Sequence, residues 1–560
     1  MKIAIAQINP IIGDFNYNFN RIKQFAEQAL AHAYDLVVFS ELVVPGYPPR
    51  DLLENREFVE ANLACLDKLV DCIHGIGVIC GYVANNPADD GIPLFNSAAL
   101  FEDGKILYQV NKRLLPTYDV FDESRYFEPG QQCSTYSYKG HKIGLTICED
   151  VWTDRELFKR IRYHMDPVEL LVNDGADILI NTSASPFHVG KIAFRWNMHA
   201  AIAKKYQIPF IFANQVGGND SVLFDGNSAA YDPHGNIVAQ ARDFEEDLIV
   251  FDLKNVSGDM RPTAQSDTQS ILNALVMGTR DYVTKCGFSK VVVGLSGGID
   301  SAVTVSIAVR ALGKQNVSTV FMPSKYTSKN NFEDTQMLAE NLDIDYEIIP
   351  IDGMFQEFLT YLSPDFKEDD PGITEQNIQA RIRGTILMGI SNREGRLVLS
   401  TGNKSELAVG YCTLYGDMNG GLAVISDVPK TVVYDIAYLL NAEKEIIPAR
   451  ILQKAPSAEL KPGQEDQDDL PAYDILDSIL KGYIEDLKGI DELVAMGFER
   501  KLVEDIISRI HRNEHKRHQA APGLKVTSKA FGYGRRYPLA QRYVPNSFAA
   551  PNQKKSDKSA

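Results

Sequence analysis

The hydrophobic positions of residues 1–255 fall into short apolar runs, each of which ends at polar or small residues. These runs are KIAIAQI, DLVVFSE, GVICGYV, SAALF, KIGLTICE, DILINTS and IPFIFANQ. Between several of them lie stretches with helical periodicity, such as FNRIKQFAEQALAHA. Strands that alternate with helices predict an α/β layered fold for this part of the chain.

A second alternating series follows a polar stretch without periodicity, and this stretch predicts a linker over residues 256–267. The helical pattern ILNALVMGTRDYVTK precedes the strand KVVVGL, a glycine-rich turn and the helix DSAVTVSIAVRAL, which ends at Gly313. The runs STVFMPS, YEIIPI and RLVLSTG have the character of further strands of the same sheet. The pattern therefore predicts a second α/β domain over residues 268–540.

Two polar segments interrupt or follow this second domain. The acidic segment KPGQEDQDDL at 461–470 predicts a mobile loop, and residues 541–560 predict a disordered tail. No internal repeat is visible in the sequence.

Composition narrows the class of protein without identifying it. A chain of 560 residues that is 44% hydrophobic and 23% charged is expected to form two or three globular units. Its formal net charge of -17 argues against a nucleic-acid backbone or an anionic membrane as the main partner. The N-terminus lacks the pattern of a secretory signal, no run of about 18 apolar residues occurs, and the seven cysteines form no CxxC pair. A cytoplasmic enzyme is therefore expected.

Three reactive side chains stand at the ends of predicted strands in the first half. Glu41 ends DLVVFSE, Lys112 follows ILYQVN, and Cys148 ends KIGLTIC. Alone, each has an ordinary structural interpretation, because such a cysteine is usually buried packing and a single Glu or Lys is usually solvated. Together they suit amide hydrolysis: a thiol attacks the carbon, a carboxylate moves protons, and a cation stabilises the oxyanion.

The surroundings of these residues resemble the three signature stretches of the nitrilase superfamily. The stretches are FSELVVPGYPPRDLL, NKRLLPTYDVFDESRYFEPG and ICEDVW, in the order and spacing of that family. The resemblance implies an αββα sandwich that acts as a glutaminase, with Cys148 as nucleophile and Glu41 as general base. It also implies that Lys112 favours the thiolate form of Cys148. The residues that it implies for glutamine binding are Tyr118, Ser185 and Lys191, the last of which replaces an Arg common in relatives.

A glycine-rich turn in the second half, VVVGLSGGIDSAV at 291–303, has the strand–turn–helix arrangement that directs backbone N–H groups at an anion. No Lys follows the glycines, so the turn is not a Walker A loop. It resembles the loop of the ATP pyrophosphatases, which cleave ATP between the α and β phosphates. The resemblance implies a doubly wound parallel sheet of the adenine nucleotide α hydrolase type. It also implies these ATP-binding residues: Gly294, Leu295, Ser296, Gly297, Gly298, Ile299, Asp300 and Ser301.

Motifs after the loop resemble those of NAD synthetases across residues 270–540. They are TEQNIQARIRG, LSTGNKSELAVGY, YGDMNGG, DVPKTVVYDIA, APSAEL and NEHKRHQAAPG. The resemblance implies further ATP contacts at Thr401, Lys430 and Ser457. It implies binding of deamido-NAD by Asn377, Arg381, Glu406 and Lys516, and of Mg²⁺ with ATP by Asp300 and Glu406. Leu414 and Ser457 depart from the pattern of the ammonia-dependent enzymes, in which a basic residue and a Thr occupy these positions.

Together the two resemblances imply ATP-dependent amidation of deamido-NAD, with glutamine as the nitrogen donor and AMP, pyrophosphate and glutamate as by-products. They imply no permanently bound cofactor, no nucleic-acid or membrane partner, and a homo-oligomer. Another glutamine-dependent, amide-forming ATP pyrophosphatase stays open as an alternative, as does a binding protein with an inactive hydrolase half. A plain nitrilase or amidase leaves the second half unexplained.

Overall fold

Two β-sheets packed face to face form the first half of the chain in a computed structural model, which describes residues 1–153, 162–362 and 371–543. Four helices cover the outer faces of the sheets: α1 (Phe15–Ala31), α2 (Arg56–Cys72), α3 (Pro167–Asn173) and α4 (Lys191–Tyr206). The strands are β1 (Lys2–Gln7), β2 (Leu36–Val38), β3 (Gly77–Asn85), β4 (Leu94–Glu102), β5 (Lys105–Asn111), β6 (Tyr136–Tyr138), β7 (His141–Ile147), β8 (Ile178–Ser183), β9 (Phe210–Asn214), β10 (Val216–Asn219), β11 (Val222–Asp225), β12 (Ala229–Tyr231), β13 (Ile237–Gln240), β14 (Asp247–Asp252) and β15 (Ser257–Gly258).

The two sheets have the orders β15-β14-β1-β2-β3-β4-β5 and β13-β12-β9-β8-β7-β6. Ile5 and Val38 of the first sheet and Ile180 and Ile211 of the second belong to one buried cluster between them. Helices α1 and α2 pack on the outer face of the first sheet, and α3 and α4 on that of the second. The layers confirm the predicted αββα sandwich. Strands β1, β2 and β3 run parallel, as do β7, β8 and β9, so the carboxyl ends of β2 and β7 can carry Glu41 and Cys148.

The second half is built on a parallel sheet of order β18-β17-β16-β19-β20. The order reverses around β16, which is where open α/β sheets bind ligands. Its strands are β16 (Val291–Leu295), β17 (Val317–Phe321), β18 (Asp345–Ile348), β19 (Leu397–Ser400) and β20 (Leu422–Ala423). Its helices are α5 (Asp267–Lys285), α6 (Ile299–Leu312), α7 (Lys329–Leu342), α8 (Asp352–Leu362), α9 (Ile373–Glu394), α10 (Lys404–Val409), α11 (Lys430–Leu440), α12 (Ala449–Gln453), α13 (Tyr473–Leu480), α14 (Ile490–Ala495), α15 (Arg500–Arg512) and α16 (Glu514–Arg517).

Apolar clusters cover both faces of this sheet and confirm the doubly wound prediction. Helices α5, α6 and α11 pack on one face, and α8 and α9 pack on the other. Helix α6 begins directly after the glycine turn, so its N-terminus points at the carboxyl end of β16. No described helix is long and apolar enough to cross a membrane.

Two predicted loops are more ordered than their composition suggests. Part of the predicted linker 256–267 belongs to the first sheet, because β15 pairs with β14. Met260 of the same segment bridges to Gln240 of β13, in the second sheet. The acidic segment 461–470 was predicted as a mobile loop. It packs against the rest of the second domain, and its Gln464 and Asp466 are buried. Tyr473 donates a hydrogen bond over 2.8 Å to one oxygen of Asp466, a carboxylate that composition alone places in solvent. The predicted tail 541–560 lies outside the described residues beyond Tyr543.

Helix α5 joins the two halves through both apolar and polar contacts. Leu275 of α5 shares a buried cluster with Val216 and Leu223 of the β10–β11 hairpin. Asp281 accepts hydrogen bonds from the side-chain amide of Asn9 over 2.7 Å and from the backbone N–H of Gly218 over 2.8 Å. Because these groups are buried and paired, the first turn after β1 and the second domain are held as one packed unit.

Candidate active sites

Cys148 lies in a strained turn at the end of β7. Its φ of 45° is in the left-handed region, which is uncommon for residues other than Gly and recurs at functional sites. Asp150 holds the turn by accepting hydrogen bonds from the backbone of Ile147 over 3.0 Å and from Arg113 and Leu114 over 3.0 and 2.9 Å. One carboxylate therefore fixes the cysteine turn against the segment that follows Lys112.

Lys112 and Glu41 form a buried ion pair, which confirms that the fold brings these predicted residues together. Nζ of Lys112 donates to Oε1 of Glu41 over 2.7 Å, and both side chains are 0% exposed. Asn96 donates to the same oxygen over 2.7 Å, and the backbone of Ala184 donates to the other oxygen over 2.9 Å. Glu41 thus has one orientation, set by three donors.

Lys112 has a second partner, Glu123, which sequence analysis did not single out. Nζ donates to Oε1 of Glu123 over 2.7 Å, and Tyr47 donates to the same atom over 2.8 Å. Burial raises the pKa of Glu123 to about 7, although Lys112 opposes the shift. Glu123 belongs to the quoted stretch NKRLLPTYDVFDESRYFEPG, so the motif contained it, but a carboxylate in a polar loop has the pattern of a solvated residue.

The protonation of Cys148 depends on more groups than Lys112 alone. Burial and the nearby Glu41 raise the pKa of the Cys148 thiol well above its usual range, and Lys112 only partly opposes them. Burial alone disfavours the charged form of Lys112, but Glu123 and Glu41 outweigh it and raise its pKa. Lys112 does favour the thiolate, as predicted, but burial and Glu41 outweigh it in the free site, where two carboxylates already pair with the Lys112 ammonium group. Cys148 must lose its proton during the reaction.

The three residues predicted to bind glutamine surround this turn. Tyr118 donates to the two oxygens of Glu149 over 2.9 and 3.1 Å, and Glu149 directly follows Cys148 in the chain. The backbone N–H of Ser185 donates to Asn214 over 2.8 Å. Lys191 begins α4, with its Nζ 5.6 Å from the ring centroid of Trp152. A carboxylate and a cation on the walls of a cysteine site suit an amino-acid substrate, and Glu149 was a further residue missed within the motif ICEDVW.

The glycine turn of the second domain has the predicted strand–turn–helix form. Gly297 has a φ of 78°, which favours Gly. The hydroxyl of Ser296 accepts the N–H of Gly298 over 3.2 Å and lies 3.2 Å from the hydroxyl of Ser301, which donates to the carbonyl of Gly298 over 3.0 Å. These bonds keep the turn tight at the N-terminus of α6, where the positive end of the helix dipole favours an anion.

Asp300 and Glu406 converge on one cation, the ammonium group of Lys430. The distances from Nζ are 2.5 Å to Oδ2 of Asp300 and 3.2 Å to Oε1 of Glu406. Asn403 donates to the other oxygen of Asp300 over 2.9 Å. Burial disfavours the ammonium, but Asp300 and Glu406 outweigh it and raise the pKa of Lys430. The cluster concentrates charge beside the turn.

One cavity of about 610 Å³ contains nearly all the residues predicted for ATP and deamido-NAD. Gly297 is the exception, because its Cα packs against the side chain of Asn331, where an added Cβ would lie 2.6 Å from Cγ. The volume lies within the range of ligand pockets. The predicted residues that line the cavity are Gly294, Leu295, Ser296, Gly298, Ile299, Asp300, Ser301, Asn377, Arg381, Thr401, Glu406, Lys430, Ser457 and Lys516.

Three of the four side chains predicted to bind deamido-NAD contact one loop, residues 410–414, whereas the carboxylate of Glu406 pairs with Lys430. Asn377 accepts from Thr413 over 2.8 Å, and Arg381 donates to the carbonyl of Leu414 over 3.1 Å. Lys516 donates to the carbonyls of Gly410 and Cys412 over 2.7 and 2.8 Å. The backbone of Leu414 therefore takes part in the site, although its side chain replaces a basic residue. Sequence analysis missed other polar residues that line this cavity, among them Arg383, Tyr411, Asp417, Lys454, Glu459 and Asp466.

These two sites define a carbon–nitrogen hydrolase domain joined to an NAD synthase domain. The carbon–nitrogen hydrolase family model matches residues 2–262, and the NAD synthase family model matches residues 271–520. The chain belongs to the family of glutamine-dependent NAD(+) synthetases. It is 46% identical to the enzyme of that name from Synechocystis over 97% of this chain and 99% of the relative, and 41% identical to the one from Thermotoga maritima over 97% and 99%.

A solved structure agrees with this assignment over both domains. It is the glutamine-dependent NAD+ synthetase of Acinetobacter baumannii in complex with adenosine diphosphate, with 41% identity and a TM-score of 0.75 over 96% of this chain and 98% of that chain. The likeness along the whole length excludes a plain nitrilase or amidase. The same likeness explains the second half, so the alternative of another amide-forming ATP pyrophosphatase is no longer needed.

Proposed function

We propose that this chain makes NAD by amidating deamido-NAD, with ammonia released from glutamine in the first domain and with activation by ATP in the second. The observation that carries the proposal is the presence, in one chain, of a buried Cys148–Glu41–Lys112 site and a cavity that starts at a pyrophosphate-type glycine turn. The first site supplies ammonia as the nitrogen nucleophile. The second site supplies the activated carboxylate that ammonia attacks.

In the first site, the Sγ of Cys148 attacks the amide carbon of glutamine. Glu41 accepts the thiol proton as the bond forms, and Lys112 stabilises the negative oxygen of the tetrahedral intermediate. Glu41 then returns the proton to the departing nitrogen, which leaves ammonia and a thioester on Cys148. Glu41 activates a water molecule to hydrolyse the thioester to glutamate. Glu123 accepts a second hydrogen bond from Lys112 and holds the ammonium group between the carboxylates of Glu41 and Glu123.

In the second site, a carboxylate oxygen of deamido-NAD attacks the α phosphorus of ATP, and pyrophosphate leaves. Ammonia then attacks the carbonyl carbon of the adenylate, and AMP leaves with the oxygen, so that the amide forms. We place the leaving pyrophosphate against the part of the turn that lines the cavity, which is Ser296, Gly298 and Ser301. We place the adenine nucleotide against Thr401 and Ser457, and the dinucleotide against the loop 410–414.

Asp300 and Glu406 fit a Mg²⁺ site, because their carboxylates already converge on the ammonium group of Lys430. Within the described part of the chain no group of three or more His, Cys, Asp or Glu residues is arranged to hold a metal. Two carboxylates suffice for Mg²⁺ when phosphate oxygens and water complete its shell. The bound ion would neutralise charge on the phosphates. Burial raises the pKa of Glu406 and so disfavours its ionised form. A nearby cation, either Lys430 or a metal ion, is needed to stabilise the carboxylate.

A direct product analysis tests the function. The chain is incubated with deamido-NAD, ATP, Mg²⁺ and glutamine, and mass spectrometry should detect NAD, glutamate, AMP and pyrophosphate in equal amounts. Omission of deamido-NAD should stop the formation of NAD and of AMP. Amidation of xanthylate or aspartate in place of deamido-NAD would mean that the second site serves another acceptor.

Lys191 gives a prediction about pH, since we assign it to the glutamine carboxylate. Burial lowers the pKa of Lys191 to about 7, with Arg195 and Lys525 adding to the shift and Cys148 and Asp225 opposing it. Above that pH the free site loses the ammonium, so the half-saturating glutamine concentration should rise by roughly fiftyfold from pH 7 to pH 9 if only the charged form binds. Lys191→Arg keeps its charge in this range and should show a clearly smaller rise. Equal slopes for both proteins, measured as glutamate release, would remove Lys191 from the carboxylate site.

Arg381 and Lys516 give a prediction about the two substrates of the second domain. Alanine at either position should raise the half-saturating concentration of deamido-NAD about tenfold or more, because each cation faces a dianionic dinucleotide. The ATP dependence should change much less. Lys501→Ala, at an exposed position of α15, is the matched control. A change in the ATP dependence alone would mean that the two subsites are reversed.

We also propose that the chain is a cytoplasmic homo-oligomer. All seven cysteines are free, which suits a reducing compartment. Helix α8 exposes Phe358, Tyr361 and Leu362, which are 48%, 80% and 61% exposed, on one end of the second domain. Exposed apolar side chains of this size suit a contact with a second copy. Mass photometry should detect more than one chain per particle, and Phe358→Glu with Tyr361→Glu should yield monomers; an unchanged oligomer would place the contact elsewhere.

A further inference from the structure

Asn331 lies directly under the glycine turn, although it is not among the residues assigned above. It stands in the first turn of α7, and its side chain is 0% exposed. Its Nδ2 donates to the carbonyl of Ser296 over 3.0 Å. A Cβ on Gly297 would fall 2.6 Å from Cγ of Asn331, so the backbone of the turn is in close contact with this amide.

The same amide also contacts a second segment that lines the cavity, residues 454–459. Nζ of Lys454 donates to Oδ1 of Asn331 over 2.9 Å, and Nδ2 of Asn331 donates to Oε2 of Glu459 over 2.7 Å. Lys454 and Glu459 pair with each other over 2.5 Å. Both residues line the cavity together with Ser457. Asn331 is therefore the buried link between the glycine turn and the segment that carries Lys454.

Only a neutral amide fits these partners. The side chain must accept from an ammonium group on one side and donate to a carbonyl and a carboxylate on the other, which an Asn does with one oxygen and one NH₂ group. A carboxylate would face the carbonyl of Ser296 and the carboxylate of Glu459 without a proton to offer. Loss of such buried partners leaves polar groups unsatisfied, which is costly.

We propose that Asn331 is a positioning residue for the pyrophosphate turn. It fixes the carbonyl of Ser296 away from the cavity, so that the N–H of Gly297, which points the opposite way in the same trans peptide, faces the phosphates of ATP. It also holds Lys454 at the edge of the same turn, where a cation favours a polyphosphate. The inference rests on the proposed binding of ATP at the turn, and it assigns Asn331 to ATP rather than to deamido-NAD.

A single and a double variant distinguish the effect of losing the hydrogen bond to Ser296 from the effect of changing the net charge around Lys454. Asn331→Asp removes the donor and adds a charge. The double change Asn331→Asp with Glu459→Gln exchanges amide and carboxylate, so the net charge and a partner for Lys454 are kept while the donor to Ser296 stays absent. Asn330→Asp, at the exposed neighbouring position on α7, makes the same charge change away from the site. NAD formation is measured with ammonia as nitrogen donor, and thermal unfolding is recorded for each protein.

We expect both Asn331 variants to raise the half-saturating ATP concentration about tenfold or more. The deamido-NAD dependence should change less than about threefold, and inhibition by added pyrophosphate should weaken. Asn330→Asp should match the unchanged protein. A double variant with normal ATP dependence would overturn the proposal, because charge balance would then be the whole role of the amide. So would equal rises for both substrates, or a lower unfolding temperature with unchanged ATP dependence. Absence of NAD formation in the unchanged protein would instead refute the proposed function.

Discussion

Cys148→Ala is expected to abolish NAD formation from glutamine while leaving formation from ammonia nearly unchanged. The thiol forms the only covalent intermediate between protein and substrate in our mechanism, so its loss should lower the glutamine-supported rate by roughly 10³-fold or more. Ammonia enters at the second site and does not need the thioester. The measurement is the rate of NAD formation with each nitrogen donor at saturating ATP and deamido-NAD.

The matched control for this experiment is Cys72→Ala, because Cys72 is an exposed cysteine at the end of α2. It should retain both activities. A loss of both activities in Cys148→Ala, with a normal unfolding temperature, would mean that Cys148 serves the synthetase site. Full retention of glutamine-supported activity would remove it from the mechanism. The buried thiol should also react slowly with alkylating reagents in the free protein, because burial and Glu41 keep it protonated.

The sequence predicts the positions of chemistry best where a strand ends in a turn of fixed geometry. The run KVVVGL followed by SGGIDS determines both the direction of β16 and the start of α6, because Gly297 permits the left-handed φ that the turn needs. Cys148 and Glu41 were found for a similar reason, since each ends or follows an apolar run. In these cases local pattern and tertiary role coincide.

The partners of these residues were harder to predict, because they depend on contacts between distant segments. Glu123 becomes functional only when Lys112 needs a second acceptor in a water-free interior. The same burial raises the pKa of Cys148 by more than Lys112 lowers it, and the motif indicated only the contribution of Lys112. The charge state of a buried group depends on the whole set of neighbours, and no local pattern contains that set.

The second site illustrates the same division between motif and surroundings. The motifs indicate Asn377, Arg381 and Lys516 separately, but their common contact with the loop 410–414 emerges only from the packing of α9 and α16 against it. The segment 461–470 was expected to be a mobile loop because it is acidic. Its Asp466 is buried because Tyr473, seven residues later, turns back to donate to it. Composition cannot predict a contact of this kind between residues seven positions apart.

Asp300→Asn is expected to reduce NAD formation with glutamine and with ammonia alike, by about 10²-fold or more. Both routes need the adenylate, and Asp300 lies at the point where the glycine turn meets α6. In the unchanged protein its Oδ2 pairs with Lys430 over 2.5 Å and its Oδ1 accepts from Asn403 over 2.9 Å. An amide in this position loses the charge that balances Lys430, and it loses a carboxylate ligand suited to Mg²⁺.

The measurements for Asp300→Asn are the rate with each nitrogen donor, the Mg²⁺ dependence, and the nucleotide products. We expect the half-saturating Mg²⁺ concentration to rise, and the residual products to remain AMP and pyrophosphate, since the turn lacks the Lys that a γ-phosphoryl transfer would use. Asp435→Asn, at an exposed position of α11, is the control and should behave as the unchanged protein. If ADP and phosphate were the main products of the unchanged protein, the assignment of the turn to α–β cleavage would be wrong. If Asp300→Asn impaired only the glutamine route, Asp300 would act in the delivery of nitrogen and not in the activation of deamido-NAD.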